Sequence, residues 1–454
     1  MVAGMNRPNG PAVSFWGGLG IIGGTKVLVE EAGWRVLLDF GLAYDVQANF
    51  FDSRLRPRPA SILRDYLEFS YAPPIDQIYP EAAVAGTTMA PLPPGESPRT
   101  AVFISHLHLD HMGLLDLLAS EVPVYQTPDS ERLQRALQQS GLLTVRSTPG
   151  FTVADRGRVR VGPLEVEAVL VDHDLPGATG YIVHTSAGAV AYSGDLRLHG
   201  LYPERTRRFA QRAGEVGVVA LVLEGTTLSP GTAPHVNNPE ASVAEQVAEE
   251  IRTCPGLALI NPYPRNVERV ISLARAAREA GRTLVLEPGM AGLIHNWVRS
   301  FDRAGSLPSD LPAICAYRGG AVSGDDQPIP GLPTVDAEDI RRDQDHFLLQ
   351  LPYVRLAELV DLRPAAGSVF IHSDGEPLGG FDPAYENLKR WLDHFHLPLV
   401  AIRSSGHASP EDLAWIAREV GAGVLFPVHS LHPELLQVPG SRQVLPEWGR
   451  RYEL

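Results

Sequence analysis

The chain has 454 residues, a formal net charge of -14, 44% hydrophobic residues and a mean hydropathy of -0.05. Such values describe a globular protein with room for one large or two ordinary domains. They argue against a uniformly basic nucleic-acid surface, although a local basic groove fits on an acidic body.

No apolar run approaches the ~18 residues of a membrane span, and the N-terminus Met1-Val-Ala-Gly-Met-Asn-Arg-Pro lacks the apolar core of a signal peptide. Cys254 and Cys315 are the only cysteines and share no CxxC spacing, which excludes a disulfide framework and a thiolate metal site. The expected compartment is the cytoplasm, with no membrane partner. The basic residues are nearly all arginine, a skew attributed here to genomic base composition.

Residues 12 to 42 read as three strands broken by glycine turns, through Gly17-Gly-Leu-Gly-Ile-Ile-Gly-Gly24 and Asp39-Phe-Gly41. Residues 45 to 99 read as an irregular connection rich in Pro, Arg and aromatics. There Arg54, Arg56, Arg58 and Arg64 alternate with Tyr66, Phe69 and Tyr71, a composition suited to RNA contact but better explained as a solvated loop over packed rings. The apolar strand Thr100-Ala-Val-Phe-Ile104 runs into Ser105-His-Leu-His-Leu-Asp-His-Met-Gly113 and then into Leu114-Leu-Asp-Leu-Leu118, which has helical spacing. Further strands are predicted at 159–171, 180–184, 189–193 and 218–224. From 257 the texture becomes βαβ: strand 257–260, helix 266–280, strand 283–287, the signature of a parallel sheet. Residues 304 to 336 read as a Pro/Gly-rich loop. Strands resume at 368–371, 399–402 and 423–426.

His106 and His108 lie two apart on an extended segment, so their rings share one side and converge. Imidazole and carboxylate are ligands that a borderline divalent ion prefers. Asp110 and His111 fall where the chain turns into a helix, facing a second position. Further ligand types stand at strand ends: His173 in Val171-Asp-His-Asp174, Asp195 in Tyr192-Ser-Gly-Asp195, and His429 in Phe426-Pro-Val-His429. The expected arrangement is His106, His108 and His173 on one ion, Asp110, His111 and His429 on the other, and Asp195 between them. His372, His432 and Arg265 lie near the same turns and receive no role.

His106, His108, Asp110 and His111 match the H-x-H-x-D-H signature, and the chain resembles the metallo-β-lactamase superfamily. Glu224 in Val222-Leu-Glu-Gly-Thr226, His407 in Ser404-Ser-Gly-His-Ala-Ser409 and His429 resemble motifs A, B and C of the β-CASP nucleases within it. The opening glycine run and Asp39-Phe-Gly41 are similar to the start of the ribonuclease J group. The resemblance implies an α/β fold, a metallo-β-lactamase αββα sandwich over 1–229 and 366–454 with an inserted β-CASP α/β domain over 230–365. It implies an RNA substrate, single-stranded, cut as 5′-to-3′ exonuclease or endonuclease. The chain stops where the ribonuclease J core would end, so the group's C-terminal domain is expected to be missing and a homodimer stays open.

Two divalent cofactor ions about 3.5–4 Å apart would clamp a phosphodiester and activate hydroxide, with zinc expected and manganese compatible. Asp110 and Asp195 would orient that hydroxide. By resemblance His407 supplies the proton to the leaving oxygen and Glu224 polarises its ring. The resemblance also gives Ser405, Gly406, His407, Ala408 and Ser409 a phosphate-binding role. The rival readings are a DNA nuclease, a small-molecule hydrolase and a metal-free RNA-binding scaffold. The first is disfavoured by His429 where such enzymes carry valine, the second by the inserted domain, the third by a complete ligand set.

Overall fold

A computed structural model describes residues 10–43, 50–51, 54–145, 150–231, 238–302, 314–319, 329–379 and 382–454. The described strands assemble into three seven-stranded sheets.

The first sheet takes its centre from Ala12–Phe15, Val27–Glu31, Trp34–Leu38 and Thr100–Phe103. Alternation decides its two faces. Val27, Val29, Val36, Leu38 and Phe103 point one way, and Leu28, Leu37 and Val102 the other. The second sheet orders Arg442–Gln443, Val424–Val428, Ala220–Glu224, Gly188–Tyr192, Thr179–Thr185, Leu164–Leu170 and Arg158–Val161. Its inner residues Val166, Tyr181, Val183, Val190, Val222 and Phe426 close on the first sheet's inner face in one buried cluster. The predicted strand 159–171 is a hairpin, turning between Val161 and Leu164.

Helices cover both outer faces. Pro203–Val216 and Pro410–Val420 lay Phe209, Ala213, Leu413 and Ile416 on the second sheet beside Leu221 and Leu223. Each ends at a glycine in the left-handed region, Gly217 at φ 68° and Gly421 at φ 65°, which stops the helix at low steric cost. The result is the expected αββα sandwich.

The third sheet is parallel throughout, in the order Thr334–Asp336, Ile314–Arg318, Thr283–Leu286, Phe347–Gln350, Ala258–Pro262, Val369–Ser373 and Leu399–Ala401. Two expectations change here. The stretch 304–336 contributes the edge strand Thr334–Asp336 and its neighbour Ile314–Arg318, short runs hidden among prolines and glycines. The sheet also runs past residue 365, because Val369–Ser373 pairs with Ala258–Pro262 and Leu399–Ala401 pairs with Val369–Ser373. A division at 365 would cut through it.

This sheet does not stand apart. One apolar cluster runs from Leu37 and Val102 on the first sheet, through Leu133 and Leu137 of the helix Pro128–Gln139, to Met290 and Ile294 and on to Ala258 and Ile371. Within the connection before residue 99, the helix Ile62–Glu68 sinks Leu63 and Tyr66 into the same cluster, with Tyr71 beside them. Arg58 meanwhile pairs with Asp65. No described helix is long and apolar enough to cross a membrane.

Candidate metal centre

Each predicted site residue leaves the carboxyl end of a strand or the turn after it. His106 and His108 follow Thr100–Phe103, His173 follows Leu164–Leu170, Asp195 follows Gly188–Tyr192, Glu224 closes Ala220–Glu224 and His429 follows Val424–Val428. His407 comes from the other unit, between Leu399–Ala401 of the third sheet and the helix Pro410–Val420. Asp110 and His111 sit on the one-turn helix Leu109–Met112. Backbone bonds from Thr25 to the Asp110 carbonyl (3.2 Å) and from Phe40 to the His111 carbonyl (2.7 Å) hold that turn. Gly41 is obligatory there, since a Cβ would lie 1.5 Å from the Asp110 carbonyl oxygen.

The structure brings the seven residues into one buried cluster. His106 Nε2 lies 3.1 Å from His108 Nδ1, which is 3.4 Å from His173 Nε2. Opposite them, His429 Nε2 is 3.0 Å from Asp110 Oδ2 and His111 Nε2 is 3.6 Å from it. Asp195 stands between the two groups, with Oδ2 3.6 Å from His106 Nε2, 3.1 Å from His111 Nε2 and 3.6 Å from His429 Nε2.

The unused ring nitrogens show what this cluster is built for. His106 Nδ1 meets Ser105 Oγ at 2.9 Å, His111 Nδ1 meets Asp39 Oδ2 at 2.7 Å, His173 Nδ1 donates to the Gly406 carbonyl at 2.5 Å and His429 Nδ1 meets Thr226 Oγ1 at 2.7 Å. These partners fix each ring and leave its other nitrogen turned inward, as around ligated ions. His111 Nε2 and both Asp195 oxygens are buried without a hydrogen-bond partner among the described residues. Buried polar atoms are rarely left so. A divalent cation would satisfy them, and the donor set fits one.

At two of the rings, protonation favours the same outcome. Burial lowers His173 to about 4 and, with His111 and His108 adding to it, lowers His106 well below its usual value, so their lone pairs are free for a cation. For His111 burial is overcome by Asp195, Asp110 and Asp39, which raise it.

Beside the cluster, His407 Nδ1 lies 3.0 and 3.1 Å from the Glu224 oxygens. Glu224 is itself pinned by the Leu196 and Thr226 amides at 3.0 and 3.2 Å. Although burial opposes it, Glu224 and then Asp195 push His407 up to about 9.

Of the anticipated phosphate loop, part is committed within the chain. The His407 amide donates to Ser405 Oγ, the Ala408 amide to the Leu196 carbonyl, and Ser409 Oγ caps the helix Pro410–Val420. The amides of Ser405 and Gly406 have no partner among the described residues.

Sequence reasoning missed four contributors. Asp39, fully buried, accepts from Ser105 Oγ and the Tyr192 hydroxyl as well as meeting His111, and its only signal was its place beside Gly41. Asp174 Oδ1 sits 3.2 Å from His108 Nε2, and its signal was adjacency to His173. Tyr263 packs its ring 5.3 Å from that of His108, and Arg265 donates to the Leu107 carbonyl, both from the turn after Ala258–Pro262. His372 bonds the Pro377 carbonyl instead, and His432 stays partly exposed next to Glu434.

Residues 79–253 match the β-lactamase superfamily domain family. The chain is a metallo-β-lactamase-fold protein similar to ribonuclease J. It is 27% identical over 349 residues to ribonuclease J of Sinorhizobium meliloti, covering 72% of this chain and 57% of that protein. For ribonuclease J of Mycolicibacterium smegmatis the identity is 26% over 300 residues, covering 63% and 47%. The chain therefore spans about half the length of these relatives. A crystal structure of a protein of unknown function from Enterococcus faecalis superposes with a TM-score of 0.77 at 27% identity, over 98% of this metallo-β-lactamase-fold chain and all of that one.

Proposed function

We propose that this protein is a metal-dependent ribonuclease that hydrolyses phosphodiester bonds in single-stranded RNA. The observation that carries the reading is the meeting, at one seam, of a seven-residue His/Asp cluster with a His–Glu pair whose Glu224 closes a strand of the second sheet and whose His407 follows the last strand of the third. Two divalent ions held by His106, His108 and His173, by Asp110, His111 and His429, and by Asp195 between them would activate water and neutralise phosphodiester charge. Histidine with carboxylate accommodates zinc or manganese.

The chain's own residues do the rest. Asp110 and Asp195 accept hydrogen bonds from the attacking water and set its direction. His407 keeps its proton at neutral pH because Glu224 faces Nδ1, so Nε2–H is available to the leaving oxygen. Glu224 holds the ring and is not consumed. The strands Ala220–Glu224 and Val424–Val428 are neighbours in the second sheet, although the whole third sheet lies between them in sequence. That topology supports reading the parallel-sheet unit as an insertion that lends the sandwich one wall of an RNA cleft.

The test is cleavage of one labelled sequence, as single-stranded RNA and as DNA, by the full chain loaded with zinc or manganese. Metal-dependent cleavage of the RNA is expected. Inertness toward RNA with either ion bound would overturn the proposal.

A further inference from the structure

Beneath residues 404–407 lies a buried ion network that the chemistry above leaves unused. Arg197 and Arg269 are each 2% exposed and Glu240 is 5% exposed. Arg269 grips Glu240 with two parallel bonds, Nε to Oε1 and Nη2 to Oε2, both 2.7 Å. Arg197 Nη1 donates to the same Oε2 at 2.8 Å. One carboxylate thus ties two guanidiniums together. It comes from the helix Glu240–Thr253, while Arg269 comes from Val267–Glu279 and Arg197 follows Asp195 by two residues.

The guanidiniums then hold the loop by its carbonyls. Arg269 Nη2 donates to the Ser404 carbonyl at 2.8 Å and Arg197 Nη1 to the Ser405 carbonyl at 3.0 Å, with His199 Nε2 2.8 Å from the latter. Arg269 Nη1 also takes Asp374 Oδ2 at 2.7 Å, and that oxygen accepts from the Ser404 amide at 3.2 Å. A trans peptide carries C=O and N–H on opposite sides. Drawing these two carbonyls inward therefore turns the Ser405 and Gly406 amides away from the guanidiniums, in a stretch that is only half-buried. The next carbonyl, that of Gly406, accepts from His173. One buried arrangement so fixes the direction of two amides, the ring of a cluster histidine and the root of His407.

We propose that Glu240, by tying Arg197 to Arg269, is a positioning residue that sets the loop carrying His407 in its working register. This rests on the ribonuclease reading for its effect on rate, and on geometry alone for its effect on the loop. Desolvated ion networks are poorly repaid in stability, which favours a role in geometry over one in holding the fold. Bidentate contact explains why residue 269 is an arginine, since the three N–H bonds on one lysine nitrogen cannot replace the five that Arg269 makes from three nitrogens.

The experiment compares the full-length wild type with Glu240→Gln at equal bound metal, reading kcat and KM on single-stranded RNA and hydrogen exchange by peptide. The variant keeps the side chain's shape and removes the shared charge. The expected result is a kcat lowered about tenfold or more with KM within about threefold, as for a displaced reacting group. Faster exchange should be confined to the peptide spanning 403–409. An unchanged 403–409 peptide, or exchange raised evenly across the chain with activity tracking the folded fraction, would overturn the proposal. Should Glu240→Gln fail to fold, Arg269→Lys carries the same comparison with the same expected and overturning outcomes. Exchange needs no substrate, so a wild type inert toward RNA would defeat the ribonuclease reading while the loop measurement still decided the positioning role.

Discussion

The two sides of the centre are held in different ways. On the cluster side, His106, His108, Asp110 and His111 come from six consecutive residues, with Ser105 holding His106 from the same segment and Asp39 holding His111 from the turn after Trp34–Leu38. On the other side, His407 rides on a loop whose place depends on Glu240, Arg269, Asp374 and Arg197, gathered from four separate segments. One short segment thus places four of the seven cluster residues, whereas charges from distant segments place the loop. Part of a binding cluster can therefore be grouped in sequence, whereas the residues that align one fold unit against another are scattered.

The largest expected effect is on the cluster side. Asp110→Ala removes an oxygen 3.0 Å from His429 Nε2 and should lower cleavage of single-stranded RNA about 10³-fold or more, about 4 kcal/mol at the transition state. The melting temperature should change little, because Asp110 is only partly buried. Initial rates and a thermal melt check this together. Undiminished cleavage would remove the cluster from the chemistry.

On the loop side the next effect is about 10²-fold and depends on pH. Glu224 is the first of the charges that push His407 up to about 9 against its burial. The protonated donor therefore dominates below about pH 9 and is lost above it. In Glu224→Gln that support goes, burial then lowers the pKa, and the alkaline limb of kcat should move to lower pH. A pH–rate profile reads the shift directly, and an unmoved limb would show that His407 is not the group titrating.

The contrast also explains what was legible in the sequence. Histidines two apart at a strand end can be read because alternation fixes their direction, and His173, Asp195 and His429 were found by the same strand-end logic. Glu240 and Arg269 carry no such signal, since charged residues on amphipathic helices usually face water, and Arg197 stands in a loop where a charge is ordinary. Asp39 was hidden for another reason. It has a left-handed backbone, φ 61°, and serves Ser105, His111 and Tyr192, all remote in sequence. The strands of the sandwich were legible from their apolar runs and turn signals, and their assembly into a sandwich only from the resemblance. The limit of the third sheet was not, because Val369–Ser373 and Leu399–Ala401 are apolar runs that suit either sheet equally.

Asp39 gives a smaller, sharper test of how the cluster is held. Asp39→Asn can place an NH₂ against the Ser105, His111 and Tyr192 donors and disturb the His111 tautomer. Metal affinity should fall about 10- to 100-fold, as for other partners that orient ligands, measured by competition with a chromophoric chelator. Unchanged affinity would mean that packing alone orients the ring.

The smallest effect returns to the loop. Its two outward amides, Ser405 and Gly406, are the donors left to an anion, since those of His407 and Ala408 are already committed. A terminal 5′ phosphate held there would gain two charge-assisted bonds, partly offset by the water it gives up. RNA with a 5′ monophosphate should then be cut up to about tenfold faster than the 5′-hydroxyl form. A triphosphate, bulkier and more charged, should gain less. One labelled oligoribonucleotide with the three termini checks this, and equal rates on all three would sink the idea. The same series on Glu240→Gln links the loop to its support. If the buried arginines aim these amides, the monophosphate preference should shrink toward one there, even where some cleavage survives.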